Sequence, residues 1–411
     1  MSKSGNSIEA ADQLALSKTM TQQELESYLW GAATILRGLV DAGDYKQFIF
    51  PLVFFKRLSD VWDEDYSRAL ADYNDDEELA ESEANERFVI PWGAHWNDVR
   101  TATKDVGRTI QDAMRAIEAA NPKRLDGIFG DAPWTHKERL PDYTLKNLLE
   151  HFSTETLSIL RVPEDSLGDG YEYLVGKFAD DGGSTAQEFY TNRTLVHLMA
   201  QMLKPQAHES IYDPTCGTGG MLLSALSEVK RSGGEHRTLR LFGQERNLMT
   251  ASIARMNLVL HGIEDFEIER GDTLNRPRFM DGDRMRTFDV VLANPPYSIK
   301  QWNREAWGSD AWGRNFLGTP PQGRADYAFF QHILKSMGPA TGRCAILFPH
   351  GVLFRKEEAA MRRKLIEADL VECVLGLGPN LFFNSPMEAC VIFCRSRKPT
   401  DRQGKIPPLS G

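Results

Sequence analysis

The sequence predicts an α/β protein: an all-α N-terminal domain followed by a domain built on an open parallel sheet. Three observations predict it. In the first third of the chain, apolar residues recur at helical spacing. From about residue 166, short apolar runs alternate with helical stretches, the mark of a parallel sheet. Glycines and acidic residues gather where those runs stop, and open α/β sheets bind ligands at the carboxyl ends of their strands. The 411 residues are enough for two or three domains, and no apolar run approaches membrane-spanning length. The expected division is a flexible N-terminus at 1–20, a helical domain at 21–165, the sheet domain at 166–396 and a polar tail at 397–411.

Thr21-Gln22-Gln23-Glu24 has capping-box spacing, and Leu25, Tyr28, Leu29, Ala32, Leu36 and Leu39 form a helical stripe behind it. Gly43-Asp44 breaks that pattern. A second helix, from Tyr45 through Phe50, Phe54 and Phe55 to Trp62, is apolar nearly all round in its middle and belongs at the centre of a helical domain. Residues 63–87 then carry eleven Asp/Glu against two Arg, a net of −9 out of the chain's −10. They are expected to form a solvated acidic segment, which leaves the rest of the chain close to neutral and does not forbid a basic groove elsewhere. Phe88-Val89-Ile90-Pro91-Trp92 reads as a short extended piece, and helices are expected at 106–120 and 145–152. Gly168-Asp169-Gly170 and Asp180-Asp181-Gly182-Gly183-Ser184 read as loops flanking a helix at 171–178.

Strands are expected near 210–212, 239–243, 267–269, 288–293, 343–348, 370–377 and 389–395. Helices at 195–203, 221–230 and 252–261 lie between them, the last stopped by Gly262. Cys216, Cys344, Cys373, Cys390 and Cys394 show no paired spacing and no neighbouring His pattern, so no metal centre is expected. The first residues have no signal-peptide core behind them, and a reducing cytoplasm fits the cysteine usage.

Four strand ends carry the chemistry. After the first, Asp213-Pro214-Thr215-Cys216-Gly217-Thr218-Gly219-Gly220 opens a helix, and its glycines let the backbone turn tightly and approach a ligand. The spacing is not that of a dinucleotide fingerprint, which argues against NAD. The second strand ends on Glu245, placed where a carboxylate accepts the ribose hydroxyls of an adenosine cofactor. The third ends in Gly271-Asp272-Thr273, where Asp272 is either an acceptor for an adenine amino group or a turn former. The fourth delivers Asn294-Pro295-Pro296-Tyr297. Two prolines cannot continue a ladder, so the chain leaves the sheet there as a rigid loop. The Asn294 side-chain carbonyl and the Pro295 backbone carbonyl are two acceptors. Held by both hydrogens, a planar amino group becomes pyramidal, which localises its lone pair for attack on a methyl group. The ring of Tyr297 offers a face on which a base can stack.

Together these residues resemble the adenine-N6 DNA methyltransferases, and most closely the modification subunits of type I restriction-modification systems. The resemblance implies a Rossmann-like S-adenosylmethionine-dependent methyltransferase fold, with Asp213 to Gly220 as the cofactor loop and Asn294 to Tyr297 as the catalytic stretch. Gln187-Glu188-Phe189-Tyr190-Thr191-Asn192-Arg193 resembles a family segment that closes over the methionine end of the cofactor. Thr191 is also a suitable helix N-cap, and Asn192 stands where the family usually has proline. Arg324-Ala325-Asp326-Tyr327-Ala328-Phe329 looks like a later cofactor-side motif, placing Asp326 with the cofactor residues. Leu381-Phe382-Phe383 resembles the stretch that sets an aromatic, here Phe382, against the flipped base. The helical region, with Tyr45-Lys46 and Phe55-Lys56-Arg57-Leu58-Ser59-Asp60, is similar to the N-terminal domain of those subunits.

The reaction so implied is methyl transfer to N6 of an adenine flipped from double-stranded DNA. The chain has no helix-turn-helix, zinc module or long basic run with which to read a sequence. By resemblance, a separate specificity subunit reads the site, two copies of this chain join it, and an endonuclease/translocase subunit can complete the complex. Family chains continue with C-terminal helices that pack on the specificity subunit, whereas this sequence ends at Gly411 after a polar stretch, so that contact is expected to be shortened or made differently. The alternatives are a stand-alone adenine-N6 DNA methyltransferase, a protein-glutamine methyltransferase, whose side-chain amide is also a planar nitrogen, and a non-catalytic assembly subunit.

Overall fold

A computed structural model describes residues 19–181, 192–263, 265–378 and 388–406. The chain divides into two compact units: Met1–Gln187 with Val259–Gly262, and Glu188–Leu258 with Ile263–Gly411.

The first unit is helical. Helix α1 (Gln22–Leu36) opens with the capping box the sequence announces: the Thr21 hydroxyl accepts from Glu24 N–H, and Glu24 accepts from Thr21 N–H at 2.8 Å. Its buried stripe is Leu25, Tyr28, Leu29, Ala32, Ala33 and Leu36, while Leu39 lies beyond the helix and is exposed. Helix α2 (Lys46–Asp72) is the centre of the unit, with Phe48, Phe50, Phe54 and Phe55 fully enclosed. It runs ten residues past Trp62, into the acidic stretch, and α3 (Glu77–Ala84) takes up more of that stretch. Most of the stretch is solvated as expected, with Asp72, Asp75, Asp76, Glu77, Glu78 and Glu86 exposed, but two of its carboxylates are not. Glu64 is buried because it accepts from the N–H groups of Ile159 and Leu160, and Asp65 is buried beside Arg68 and Arg87. Each carboxylate replaces water with backbone donors or guanidinium groups.

Helices α4 (Trp96–Arg100), α5 (Val106–Ala120) and α6 (Asp142–Phe152) follow, and Tyr28 donates to the Phe152 carbonyl at 2.7 Å. Helix α7 (Glu164–Asp181) runs straight through Gly168-Asp169-Gly170, which the sequence marks as a loop. Glycine is there for close approach: a Cβ on Gly170 would meet Leu25 and Leu29 of α1 at 3.0 Å. Tyr171 and Phe178 pack on Phe50, so α7 packs with the helical unit, whose contacts extend to Gln187.

The second unit is a seven-stranded sheet. Its strands are β1 (Ser210–Asp213), β2 (Arg240–Glu245), β3 (Phe266–Arg270), β4 (Val290–Ala293), β5 (Arg343–Pro349), β6 (Val371–Gly376) and β7 (Ala389–Arg395). They lie in the order β3-β2-β1-β4-β5-β7-β6. Pairing is parallel from β3 to β5, and β7 runs antiparallel between β5 and β6. Alternate residues supply two cores. Ile211, Leu241, Val290 and Leu292 face α8 (Arg193–Leu203), α9 (Gly220–Arg231) and α10 (Leu248–Leu260). Tyr212, Phe242, Val291 and Ala293 face α12 (Asp326–Lys335) and α13 (Ala359–Glu367), the short α11 (Arg304–Gly308) having come before them in the chain. The helix after β1 thus lies on one face and the helix after β4 on the other, although β1 and β4 are neighbours. That is a topological switch point, the place where open α/β sheets hold ligands.

Candidate active site

The loop from β1 into α9 is built on backbone that only glycine adopts without strain: φ is +54° at Gly217 and +86° at Gly219. Gly243 on β2 lets the loop descend, since a Cβ there would meet Cys216 Sγ at 2.9 Å. The Cys216 amide donates to the Gln244 carbonyl at 3.0 Å, and its side chain packs in the apolar core beneath the loop. The Cys216 side chain is thus turned away from the loop's open side, and burial pushes its thiol well up. Thr218 is tied down from α10, Asn257 Nδ2 donating to its carbonyl at 3.0 Å.

Asp213 is buried, accepts from Thr215 N–H at 2.9 Å, and is pushed up to about 7 by burial, with the charge of Glu245 adding to the effect. Glu245 ends β2 with both oxygens engaged: Oε2 accepts from Gly217 N–H at 3.2 Å and Oε1 from Asn247 N–H at 2.7 Å. Burial raises it too. A carboxylate oxygen has a second lone pair, so both remain able to accept from a ligand hydroxyl. Asp272 takes its turn-forming role, Oδ1 accepting from Leu274 and Asn275 N–H and Oδ2 from Asn275 Nδ2.

Asn192 is exposed and caps α8, accepting from Leu195 N–H at 3.4 Å; it takes the capping place the sequence offered to Thr191. Arg193 donates to the Gly220 carbonyl at 3.2 Å, under the glycine loop. Glu188, Phe189, Tyr190, Thr191 and Phe382 lie outside the described residues.

β4 releases Asn294 at the edge where the glycine loop leaves the paired strand β1. Pro295 is buried and Pro296 exposed. Tyr297 is half-buried, its ring resting on the α9 side of the core and its hydroxyl enclosed without a hydrogen-bond partner among the described residues. Burial drives that phenol upward, Cys390 and Asp326 contributing. Ser298 follows with φ +51°, and its N–H donates to Asp326 Oδ1 at 2.8 Å. Asp326, fully buried at the start of α12, accepts from Arg355 on its other oxygen at 2.8 Å. Its carboxylate thus ties the segment after Tyr297 to the start of α12.

Sequence reading missed the supports. Arg314, 1% exposed, donates to Asp310, the carbonyls of Thr273 and Leu274, and His332 Nδ1, and lies over the rings of Trp307 and Trp312. It pins the segment after Tyr297 to the end of β3. At the opposite edge of the sheet, Asp289 accepts from Ser210 and Thr341, joining the starts of β1, β4 and β5. Neither residue lies in a recognisable motif; only the fold brings its partners together.

A sheet of this order, with a glycine loop after β1, a carboxylate ending β2 and Asn-Pro-Pro-Tyr ending β4, is that of a methyltransferase that takes a nucleoside cofactor. Residues 162–407 match the model of the N-6 DNA Methylase family, and residues 25–152 match that of the HsdM N-terminal domain. The chain belongs to the N-6 DNA methylase family, among the methylase subunits of type I restriction enzymes. It is 31% identical over 333 residues to the type I restriction enzyme HindI methylase subunit of Haemophilus influenzae, covering 77% of this chain and 69% of that one. It is 27% identical over 410 residues to the MjaIX methylase subunit of Methanocaldococcus jannaschii, covering 93% and 71%. The crystal structure of a type I restriction-modification methyltransferase subunit from Streptococcus thermophilus superposes with a TM-score of 0.80 at 28% identity, covering 92% of this chain and 85% of that one. Among the described residues, no helix is long and apolar enough to cross a membrane.

Proposed function

We propose that this chain methylates N6 of an adenine flipped out of double-stranded DNA, using S-adenosylmethionine, as the modification subunit of a type I complex. The observation that carries the reading is the placement of Asn294-Pro295-Pro296-Tyr297 beside the glycine loop at the switch point between β1 and β4. The helical unit matched to the HsdM N-terminal domain favours DNA over a protein glutamine as the acceptor.

The donor set fits the cofactor. Two glycines with positive φ open the loop, Glu245 retains lone pairs for ribose hydroxyls, and Asp213 and Glu245 give the site the negative character a sulfonium and an amino group require. Residues 217–220, Glu245 and Asp213 would hold it, with Arg193 and Asn192 setting the start of α8 alongside and residues 188–191 closing over it. Asp272 acts through the turn it builds. Bound S-adenosylmethionine supplies an electrophilic methyl group on a positively charged sulfur.

The protein's own part is capture and positioning. N6 is engaged in base pairing, so the base must leave the helix, at a cost of a few kcal/mol. The half-exposed ring of Tyr297 recovers part of that by stacking, about 1–3 kcal/mol per base, with Phe382 as the second aromatic. Asn294 Oδ1 and the Pro295 carbonyl accept the two N6 hydrogens, which directs the nitrogen lone pair outward. Asn294 orients the amine and does not keep its proton, because an amide oxygen is not a base.

Site reading comes from a separate specificity subunit that holds the duplex between two copies of this chain, and an endonuclease/translocase subunit joins that assembly. The compartment is the cytoplasm, where the DNA is. Methylome sequencing of DNA treated with this chain alone and with its specificity subunit tests the reading. The expected result is adenine-N6 methylation at a single split sequence, with the partner only. Efficient methylation at a defined motif by the chain alone would instead establish a stand-alone enzyme.

A further inference from the structure

We propose that Asp326 and Arg355 form a positioning clamp that holds the Asn294–Tyr297 stretch in its reactive shape; the inference rests on the adenine-N6 reading above. Its starting point is a strained residue. Ser298, directly after Tyr297, sits at φ +51°, a left-handed conformation that a residue with a Cβ adopts only when its surroundings impose it. What imposes it is a hydrogen bond, 2.8 Å from Ser298 N–H to Asp326 Oδ1.

Asp326 is 1% exposed, and a buried carboxylate needs a cation. Arg355 supplies it, donating to Oδ2 at 2.8 Å. The same guanidinium nitrogen reaches Glu358 Oε1 at 3.2 Å. Room for the guanidinium exists because residue 351 is glycine: a Cβ there would lie 2.3 Å from Arg355 Nε. Arg355 is itself anchored, its N–H donating to the Gly351 carbonyl at 3.0 Å, and Tyr327 next to Asp326 donates to the Val352 carbonyl at 3.1 Å. The segment after β5 is thereby braced against the first turn of α12, and that turn grips the residue that closes the catalytic stretch. Prolines 295 and 296 stiffen the stretch from within; Asp326 fixes where it ends.

The two acceptors at Asn294 and Pro295 act only if both meet the N6 hydrogens, and a misplacement of about 1 Å is enough to cost roughly a hundredfold in rate. Loss of the clamp should therefore appear in the methyl-transfer step and leave cofactor binding alone. The test uses the full chain, for cofactor titration by calorimetry, and its complex with the specificity subunit, for single-turnover transfer of tritiated methyl groups to duplex DNA. For Asp326→Ala the expected rate loss is about a hundredfold at saturating cofactor, with cofactor affinity within a few-fold of wild type. Asp326→Asn keeps an acceptor for Ser298 but forfeits the charge facing Arg355, so its loss should be intermediate; it also serves if the alanine variant does not fold. Ser298→Gly added to Asp326→Ala should restore about fivefold, because glycine takes the left-handed backbone without strain. A purely structural role for Asp326 would not respond to that second change.

Weaker cofactor binding by Asp326→Ala with an intact rate at saturation would put Asp326 on the cofactor and overturn the clamp. So would an unchanged rate, or no recovery in the double variant. The wild-type arm separates the two readings: mass spectrometry of the product shows whether adenine N6 is the acceptor at all, whereas the ratio of variant to wild-type rate tests the clamp on whichever amine is methylated.

Discussion

Glu245→Gln keeps the side chain's size and removes one acceptor oxygen. In the protein the carboxylate is 8% exposed and serves two backbone donors, Gly217 N–H at 3.2 Å and Asn247 N–H at 2.7 Å. A glutamine amide has one oxygen and one NH2 group, so whichever way it turns, a donor faces one of those N–H groups. The shorter bond to Asn247 is the one to retain, which leaves Gly217 unsatisfied within the glycine loop. An unsatisfied buried donor costs about 1–3 kcal/mol, and each kcal/mol lowers the melting temperature of a domain of this size by roughly 2–4 °C. The second effect falls on the cofactor. Hydrogen bonds from ribose hydroxyls to a charged acceptor contribute about 1.5–3 kcal/mol, most of which the neutral amide forfeits. At about 1.4 kcal/mol per tenfold, S-adenosylmethionine affinity should fall between tenfold and a hundredfold. Calorimetric titration of the full chain measures the affinity, and differential scanning calorimetry the stability. Wild-type affinity in a variant that melts several degrees lower would refute the ribose contact and leave Glu245 as a brace for the loop.

Asn294→Ala should abolish adenine-N6 methylation, read by mass spectrometry of digested DNA, while cofactor affinity stays within a few-fold. Tyr297→Phe should be far milder than Tyr297→Ala in the same assay, since the hydroxyl has no partner among the described residues and the ring is what stacks. Cofactor binding should strengthen as pH rises through about 7. Asp213 is partly protonated there, a cationic ligand favours its ionised form, and binding must then release a proton; titrations in buffers of different ionisation enthalpy detect the release, and a flat pH profile would count against it. The same raised pKa means the folded chain holds more protons than the unfolded one between about pH 4 and pH 7, so Asp213 makes stability fall as pH rises across that window. Arg314→Met should destabilise by about 3–5 kcal/mol in urea unfolding, because it strands the buried carboxylate of Asp310.

Much of this was legible in the sequence. Most of the strands are apolar runs bounded by turn residues, with β3 an alternating strand instead, and the order of the strand ends places Asp213, Glu245 and Asn294 on one edge. The misreadings share a cause: a residue type states what it can do, and its neighbours decide what it does. Gly168 and Gly170 signal a turn by composition, yet Gly170 lies inside α7 because α1 comes too close for a side chain. The acidic stretch is mostly solvated as it reads, yet Glu64 within it is buried on the backbone of residues nearly a hundred positions away. Asp326 stands in a motif that resembles a cofactor contact, and nothing in that motif announces its hydrogen bond from Ser298 N–H. Arg355 gives no signal at all, since Asp326, the partner that matters, comes from another segment.

β7 is inserted between β5 and β6, and that order has a consequence during synthesis. Residues 343–349 leave the ribosome some forty positions ahead of β7, a delay of about 2–8 s at typical elongation rates. Through that interval β5 has β4 on one side and nothing on the other, although every one of its residues is buried in the finished protein. An apolar strand with a bare edge is a template for pairing with another chain. Polysomes crowded with this message bring such edges near one another, so a nascent-chain chaperone that shields β5 for a few seconds should raise the soluble yield. A premature stop between β6 and β7 would make the open edge permanent, and the truncated product should collect in inclusion bodies although its whole glycine loop and its Asn-Pro-Pro-Tyr stretch have been made.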